Sequence, residues 1–171
     1  TSYRDWVQAW TLWLIRSSRP GDAASLFHIF TSVVRDHDVG IAQYLLPHLV
    51  LHILISGSSQ QRRTVLGESL AVLADQAHPA LGYEPERRRL TAQTLFHVLD
   101  HVGHWMRRMR LVPLRMARRS RWRDALSDVQ AIMDELSPDL LAQASLQCDA
   151  YARALLHFEY RIRAMRPQPS E

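Results

Sequence analysis

Apolar residues recur along this chain at intervals of three and four, and no stretch of useful length alternates with period two. That pattern confines the chain to helices, because side chains three and four apart share a helix face whereas strands repeat every second residue. Trp6, Trp10, Trp13 and Leu14 line a first helix over 2–17, ended by Arg19-Pro20-Gly21. Asp22 reads as the N-cap of a second helix over 22–36, with Leu26, Phe27, Phe30, Val33 and Val34 turned inward. The third, over 39–55, is apolar almost all round, which calls for burial on several sides. Pro47 within it removes a backbone hydrogen bond and predicts a kink. A fourth helix over 60–76 packs through Val65, Leu66, Leu70 and Leu73. The fifth, over 86–111, is the longest, with Leu95, Val98, Leu99, Val102, Trp105, Met106 and Met109 on one stripe. A sixth over 123–136 uses Leu126, Val129 and Met133. Ser137-Pro138 then restarts the chain as N-cap and first helical residue, leaving two short helices over 138–148 and 149–165.

Helices of this length joined by short turns describe an all-α fold, and the reading is an α-solenoid of antiparallel helix pairs. The last pair supports it: Leu141-Ala142, Ala154, Phe158 and Pro167 approximate tetratricopeptide spacing, in which small residues let two helices approach. The chain divides into a helical array over 1–112, a basic connector over 113–123 and a final helical segment over 124–171. Its longest apolar run, 44–55, is 12 residues interrupted by Pro47, His48 and His52. Read as too short and too polar to span a bilayer, it points to a soluble chain. The opening Thr-Ser-Tyr, without methionine, reads as internal to a longer polypeptide.

All 21 basic residues are arginine. Without lysine there is no phosphate-loop lysine, no Schiff-base site and no nucleotide-pairing lysine of the protein-kinase type. The six glycines never come close enough for G-x-G. No nucleophile, base and orienting group form a set, so no catalytic or cofactor-binding residue is assigned. Cys148 is the one cysteine, read as a small core residue in a reducing compartment. His97, His101 and His104 lie within about 60° on one helix face. Zinc would accept imidazoles there, but no thiolate or carboxylate beyond Asp100 is at hand, so the face is read as polar and no metal site is assigned. His48 and His52 form a second i, i+4 pair.

The charge is uneven. Between Arg87 and Arg123 eleven arginines face one acid, Asp100, a local +10 within a chain of net +4. Arg107, Arg108, Arg110, Arg115, Arg118, Arg119, Arg121 and Arg123, with Trp122 interleaved, are the residue types that neutralise phosphates and stack a base. The competing reading is a solvated basic connector. Arg118, Arg119, Arg121 and Arg123 are the candidate nucleic-acid contacts.

Three ordered segments resemble one family. Ile41-Ala42-Gln43-Tyr44-Leu45-Leu46-Pro47-His48-Leu49-Val50 is similar to a buried helix of the ATR branch of the phosphatidylinositol-3-kinase-related protein kinases. Leu90-Thr91-Ala92-Gln93-Thr94-Leu95-Phe96-His97-Val98-Leu99-Asp100-His101 resembles the next long helix of that family. Ser137-Pro138-Asp139-Leu140-Leu141-Ala142-Gln143-Ala144-Ser145, continuing through 150–159, resembles the opening of its FAT region. The resemblance implies an internal fragment at the end of a HEAT array (1–112) and the start of FAT (124–171). It implies a non-catalytic scaffold within a nuclear serine/threonine checkpoint kinase, whose ATP and divalent metal belong to a distant catalytic domain. It also implies contacts with the rest of that chain, an ATRIP-type partner and a dimer mate, and no membrane. The stretch 110–123 has no counterpart, so nothing of the family's is carried onto its arginines. The alternative is a free-standing helical-repeat adaptor that binds nucleic acid through the Arg107–Arg123 block.

Overall fold

A computed structural model describes residues 2–36, 39–78, 84–112 and 122–165. Among them are nine helices and no strand: α1 (Tyr3–Ser17), α2 (Asp22–Ile29), α3 (Thr31–Arg35), α4 (Val39–Ser56), α5 (Ser59–Ala77), α6 (Pro85–Arg110), α7 (Trp122–Asp134), α8 (Pro138–Gln147) and α9 (Tyr151–Met165). The described residues form an all-α array of helices packed against one another.

Helix starts follow local chemistry. The Ser2 hydroxyl accepts from the Asp5 amide while the Asp5 carboxylate accepts from the Ser2 amide, and Ser58 with Gln61 repeats this at α5. Each reciprocal pair satisfies two amides that a helix N-terminus leaves without partners. The Gln61 side chain also donates to the Ser17 carbonyl at 2.7 Å, so the start of α5 is tied to the end of α1. Gly57 turns the chain between α4 and α5: a Cβ there would fall 2.4 Å from the Ile53 carbonyl oxygen, and only glycine fits. Asp149, in the left-handed region at φ 58, ends α8. The Ala150 amide then reaches the Ser145 carbonyl at 2.9 Å in a Schellman closure. This turn folds α9 back on α8, and the small residues Ala142 of α8 and Ala154 of α9 are buried, while Ala144 joins the main core.

The centre is α4. It packs against α1, α3, α5, α6 and α7, burying Ala42, Leu45, Leu46, Pro47, Leu49, Val50, Ile53 and Leu54. At 18 residues with mean hydropathy 1.6 it is long and apolar enough to cross a membrane, which corrects the shorter, more polar run read from sequence. Here that apolarity covers neighbouring helices. The helix continues through Pro47, whose missing N–H leaves the Gln43 carbonyl without its usual partner.

Two further expectations change. The helix expected over 22–36 is two, because Phe30, with its amide bonded to the Phe27 carbonyl three residues back, closes α2 before α3 begins. Phe27 and Val34 enter the core, whereas Leu26 and Val33 face outward. The N-cap of α2 is Gly21, and Asp22 is the first helical residue.

Leu46 is fully buried and Tyr44 is 72% exposed on the same helix. Leu46→Ala should cost about 2–5 kcal/mol by the lost burial and the cavity left behind. Tyr44→Ala should stay within about 0.5 kcal/mol. Urea unfolding of the two variants checks the placement of α4; equal costs would show that its inward face is wrongly assigned.

Candidate functional site

Two surface features carry the polar chemistry of the chain, a histidine seam and the ends of α6. The seam lies where α4 meets α6. His97, His101 and His104 do share one face of α6, as their spacing predicts, but their nearest aromatic partners come from elsewhere. His48 of α4 sets its ring edge-on to His101 with centroids 4.6 Å apart, and Tyr44 packs against His48 at 5.6 Å with its ring tilted by 53°. His97 and His104 stay exposed while His101 is half-buried. Burial, and secondarily the nearby imidazoles of His48, His97 and His104, push the His101 pKa down. His52 leaves this seam: its ring meets the edge of Phe27, and Ser56 Oγ lies 3.3 Å from its Nε2. Among the described residues no three His, Cys, Asp or Glu side chains are arranged to hold a metal ion.

The arginine block is not one patch. Arg87, Arg88 and Arg89 occupy the first turn of α6, and Arg107, Arg108 and Arg110 the last. Twenty residues at 1.5 Å each put these groups roughly 30 Å apart. The C-terminal group suits the negative end of the helix dipole. Arg123 is exposed in the first turn of α7; Arg118, Arg119 and Arg121 lie outside the described residues, as does the connector over 113–121.

Asp100, the single acid of the block, serves an arginine from beyond it. Arg153 of α9 donates to both Asp100 carboxylate oxygens, at 2.8 and 2.6 Å, and its guanidinium carbon lies 4.9 Å from the Phe96 ring centroid. The hydrogen bonds to Asp100 hold the Arg153 pKa above its ordinary value. The pair fastens the α8–α9 hairpin onto α6. Sequence reasoning missed it because residues 53 apart leave no local signal. Arg62 and Asp128 join α5 to α7 in the same way at 2.5 Å. Cys148 is buried as expected, and burial raises its thiol pKa.

The polar contacts thus fasten helices to one another, and the arrangement is that of a helical-repeat segment. The family model for the M-HEAT region of serine/threonine-protein kinase ATR matches residues 1–171. The chain belongs to that family, the M-HEAT helical region of ATR-like kinases. Its relatives include serine/threonine-protein kinase ATR of Oryza sativa, 28% identical over 95% of this chain. Others are protein kinase rad3 of Schizosaccharomyces pombe, 26% identical over 92%, and the Arabidopsis thaliana ATR kinase, 27% identical over 95%. The chain spans 7% of the length of these relatives. No solved structure matches it significantly.

Three histidines, His52, His101 and His157, have pKa values lowered chiefly by burial. Their neutral forms favour the fold, so their contribution is complete above the ordinary imidazole value of 6.5. It is lost as the pH falls through the depressed folded values. Thermal unfolding should therefore show stability falling as the pH drops below about 6.5. His101→Gln should flatten part of that slope; an unchanged slope would mean that this imidazole titrates alike in both states.

Proposed function

We propose that this chain is a structural segment of an ATR-like checkpoint kinase, positioning other parts of a longer polypeptide. The carrying observation is the match to the M-HEAT region along its whole length, joined to an array whose polar contacts bind helix to helix. The relatives are named serine/threonine-protein kinases, so ATP and a divalent metal belong, in this reading, to a catalytic domain elsewhere in the polypeptide. By the same reading the kinase acts in the nucleus on DNA-damage signals, with an ATRIP-type partner and a dimer mate. We also propose the division at 113–123, with 1–112 ending the HEAT array and 124–171 opening the FAT-type repeats. The tight α8–α9 hairpin supports a distinct final unit, while the family match runs unbroken across it.

A repeat segment buries apolar end faces against its neighbours. Tyr151, Leu155 and Ile162 are each more than half exposed on α9 and lie within about 40° of one another on it. In this reading the next helix pair of the polypeptide stacks there. The isolated 171 residues should accordingly self-associate in sedimentation velocity, and Leu155→Glu with Ile162→Glu should shift them toward monomer. A clean monomer before substitution would count against the segment reading.

For the arginines a second contact is proposed, supported by the charge surplus of the block: Arg118, Arg119, Arg121 and Arg123 neutralise phosphates of single-stranded nucleic acid. Changing all four to alanine should weaken oligonucleotide binding and reduce the slope of log affinity against log salt by about 3. An unchanged slope removes these residues from the interface.

A further inference from the structure

Beside the Arg153–Asp100 clasp, α6 and α9 diverge over α7 and α8 and leave a groove of about 550 Å³. Its α6 wall is Leu99, Gly103, Met106 and Arg110, spaced i, i+4, i+7 and i+11 along one helix face. Leu99 to Arg110 is a lane of roughly 16 Å, or three helical turns. Gly103 contributes no side chain, and the Arg107 guanidinium lies 3.7 Å from where its Cβ would be. Met133 of α7 and Leu141 of α8 complete the apolar floor, and Leu156 and Tyr160 form the α9 wall. These last two are 48% and 55% exposed, a poor state for large apolar side chains without a cover.

The rim has a sign. Arg153 and Asp100 cancel in their bidentate pair. Arg110 donates to Gln130, which in turn donates to Asp134 at 2.6 Å. Arg107 forms no ion pair among the described residues. Arg107 and Arg110 therefore outweigh Asp134, and the groove favours a negatively charged occupant.

The flank proposed for the next helix pair is a different one. Leu156 and Tyr160 lie about 100–180° around α9 from Tyr151, Leu155 and Ile162. In the segment reading a following helix pair stacks on that second flank, whereas the groove lies between α6 and α9, which the Arg153–Asp100 pair joins at one end. We propose that the groove is a docking site for an acidic amphipathic helix of a separate protein. Its apolar residues at i, i+4 and i+7 seat on Met106, Met133, Leu141, Leu156 and Tyr160, and its carboxylates meet Arg107 and Arg110. A groove of this length suits the helix-in-groove mode, in which two or three anchors supply the affinity and flanking charges select the partner. The occupant is distinct from the neighbours required by the segment reading, so either can fail alone.

The test uses the full polypeptide that carries these residues and an array of labelled 16-residue helical peptides. Each has Leu, Phe or Met at i, i+4 and i+7, flanked by Glu in one set and Lys in the other, with fluorescence anisotropy as readout. Members of the Glu set should bind saturably at micromolar concentration and the Lys set at least tenfold more weakly. Leu156→Glu and Arg107→Glu, both at exposed positions, should each weaken the Glu peptides at least tenfold. Leu155→Glu on the opposite flank should change binding less than twofold, and circular dichroism should show all three variants folded. No saturable binding by any Glu peptide overturns the proposal, as does equal binding of the two sets or equal loss in Leu156→Glu and Leu155→Glu. Self-association of the polypeptide that Leu156→Glu abolishes would assign the groove to a second copy and overturn it as well.

Discussion

An 18-residue helix that is mostly apolar must have most of its apolar side chains kept from water, and α4 imposes that requirement on the helices around it. Each fully buried Leu, Ile or Val contributes about 1.5–3 kcal/mol by leaving water, and Leu46, Leu49 and Ile53 of α4 are buried together with Leu14, Leu73, Leu95, Val102 and Val129 of the helices around it. Their coverage needs α1, α5, α6 and α7 around it. The connections follow from this. The Gln61 bond to Ser17 and the Arg62 pair with Asp128 hold the covering helices in place around α4. They orient more than they stabilise, because ion pairs that keep water contact contribute about 0–1 kcal/mol. Pro47 fits the same logic: a lost backbone bond is tolerated where packing on several sides already fixes the helix.

With the centre apolar, charge is displaced to helix ends and outer faces. On α6 that displacement is nearly complete: arginines at both termini, histidines along the outer middle, and a buried stripe through Leu95, Val98 and Val102. Asp100, the exception, is spent on Arg153. The consequence is electrostatic as well as structural. With Asp100 paired to an arginine from α9, the surplus on α6 gathers at its C-terminal end, in Arg107, Arg108 and Arg110, while Arg87, Arg88 and Arg89 stand beside Glu84 and Glu86 and Arg89 meets Asp149 at 3.5 Å. The two ends, about 30 Å apart, act separately, since salt at physiological strength screens charges beyond about 8 Å.

Helix positions were legible because they depend on neighbours in sequence. The stripes of α1, α6 and α7 bury as their spacing predicts, with Trp10, Leu14, Val102 and Val129 inside. The α2–α3 segment was misread where periodicity is silent: Leu26, Phe27, Val33 and Val34 are all apolar, and only the turn at Phe30 decides which of them face the core. The helix over 39–55 was placed to within a residue of α4, and only the length of its apolar run was misjudged. Pro47, His48 and His52 interrupt the apolar run by composition, yet packing around the helix makes them compatible with it. Less of the candidate site was legible. The histidine spacing located one face of α6, but the approach of His48, the edge contact of His52 with Phe27 and the Arg153–Asp100 clasp are all between distant helices, and no short-range pattern encodes them.

The last hairpin shows why a repeat segment resists reading as a finished globule. In a closed domain a terminal helix buries one face and turns the opposite one, polar, to water. Helix α9 instead buries Ala154 against α8 and carries large apolar side chains on both flanks of that contact, Leu156 and Tyr160 on one and Tyr151, Leu155 and Ile162 on the other. A helix with apolar residues on three sides is specified for three contacts, by the same reasoning that makes α4 a central helix. The difference is that α4 is surrounded by described helices, whereas α9 packs on α8, meets α6 through Arg153 and leaves these five side chains about half or more exposed. Composition cannot distinguish the two cases, and the exposure of each flank can. What sets this segment apart is therefore less its buried core than the uncovered surface of α9, where stacking in the longer polypeptide and docking from outside it are physically separable.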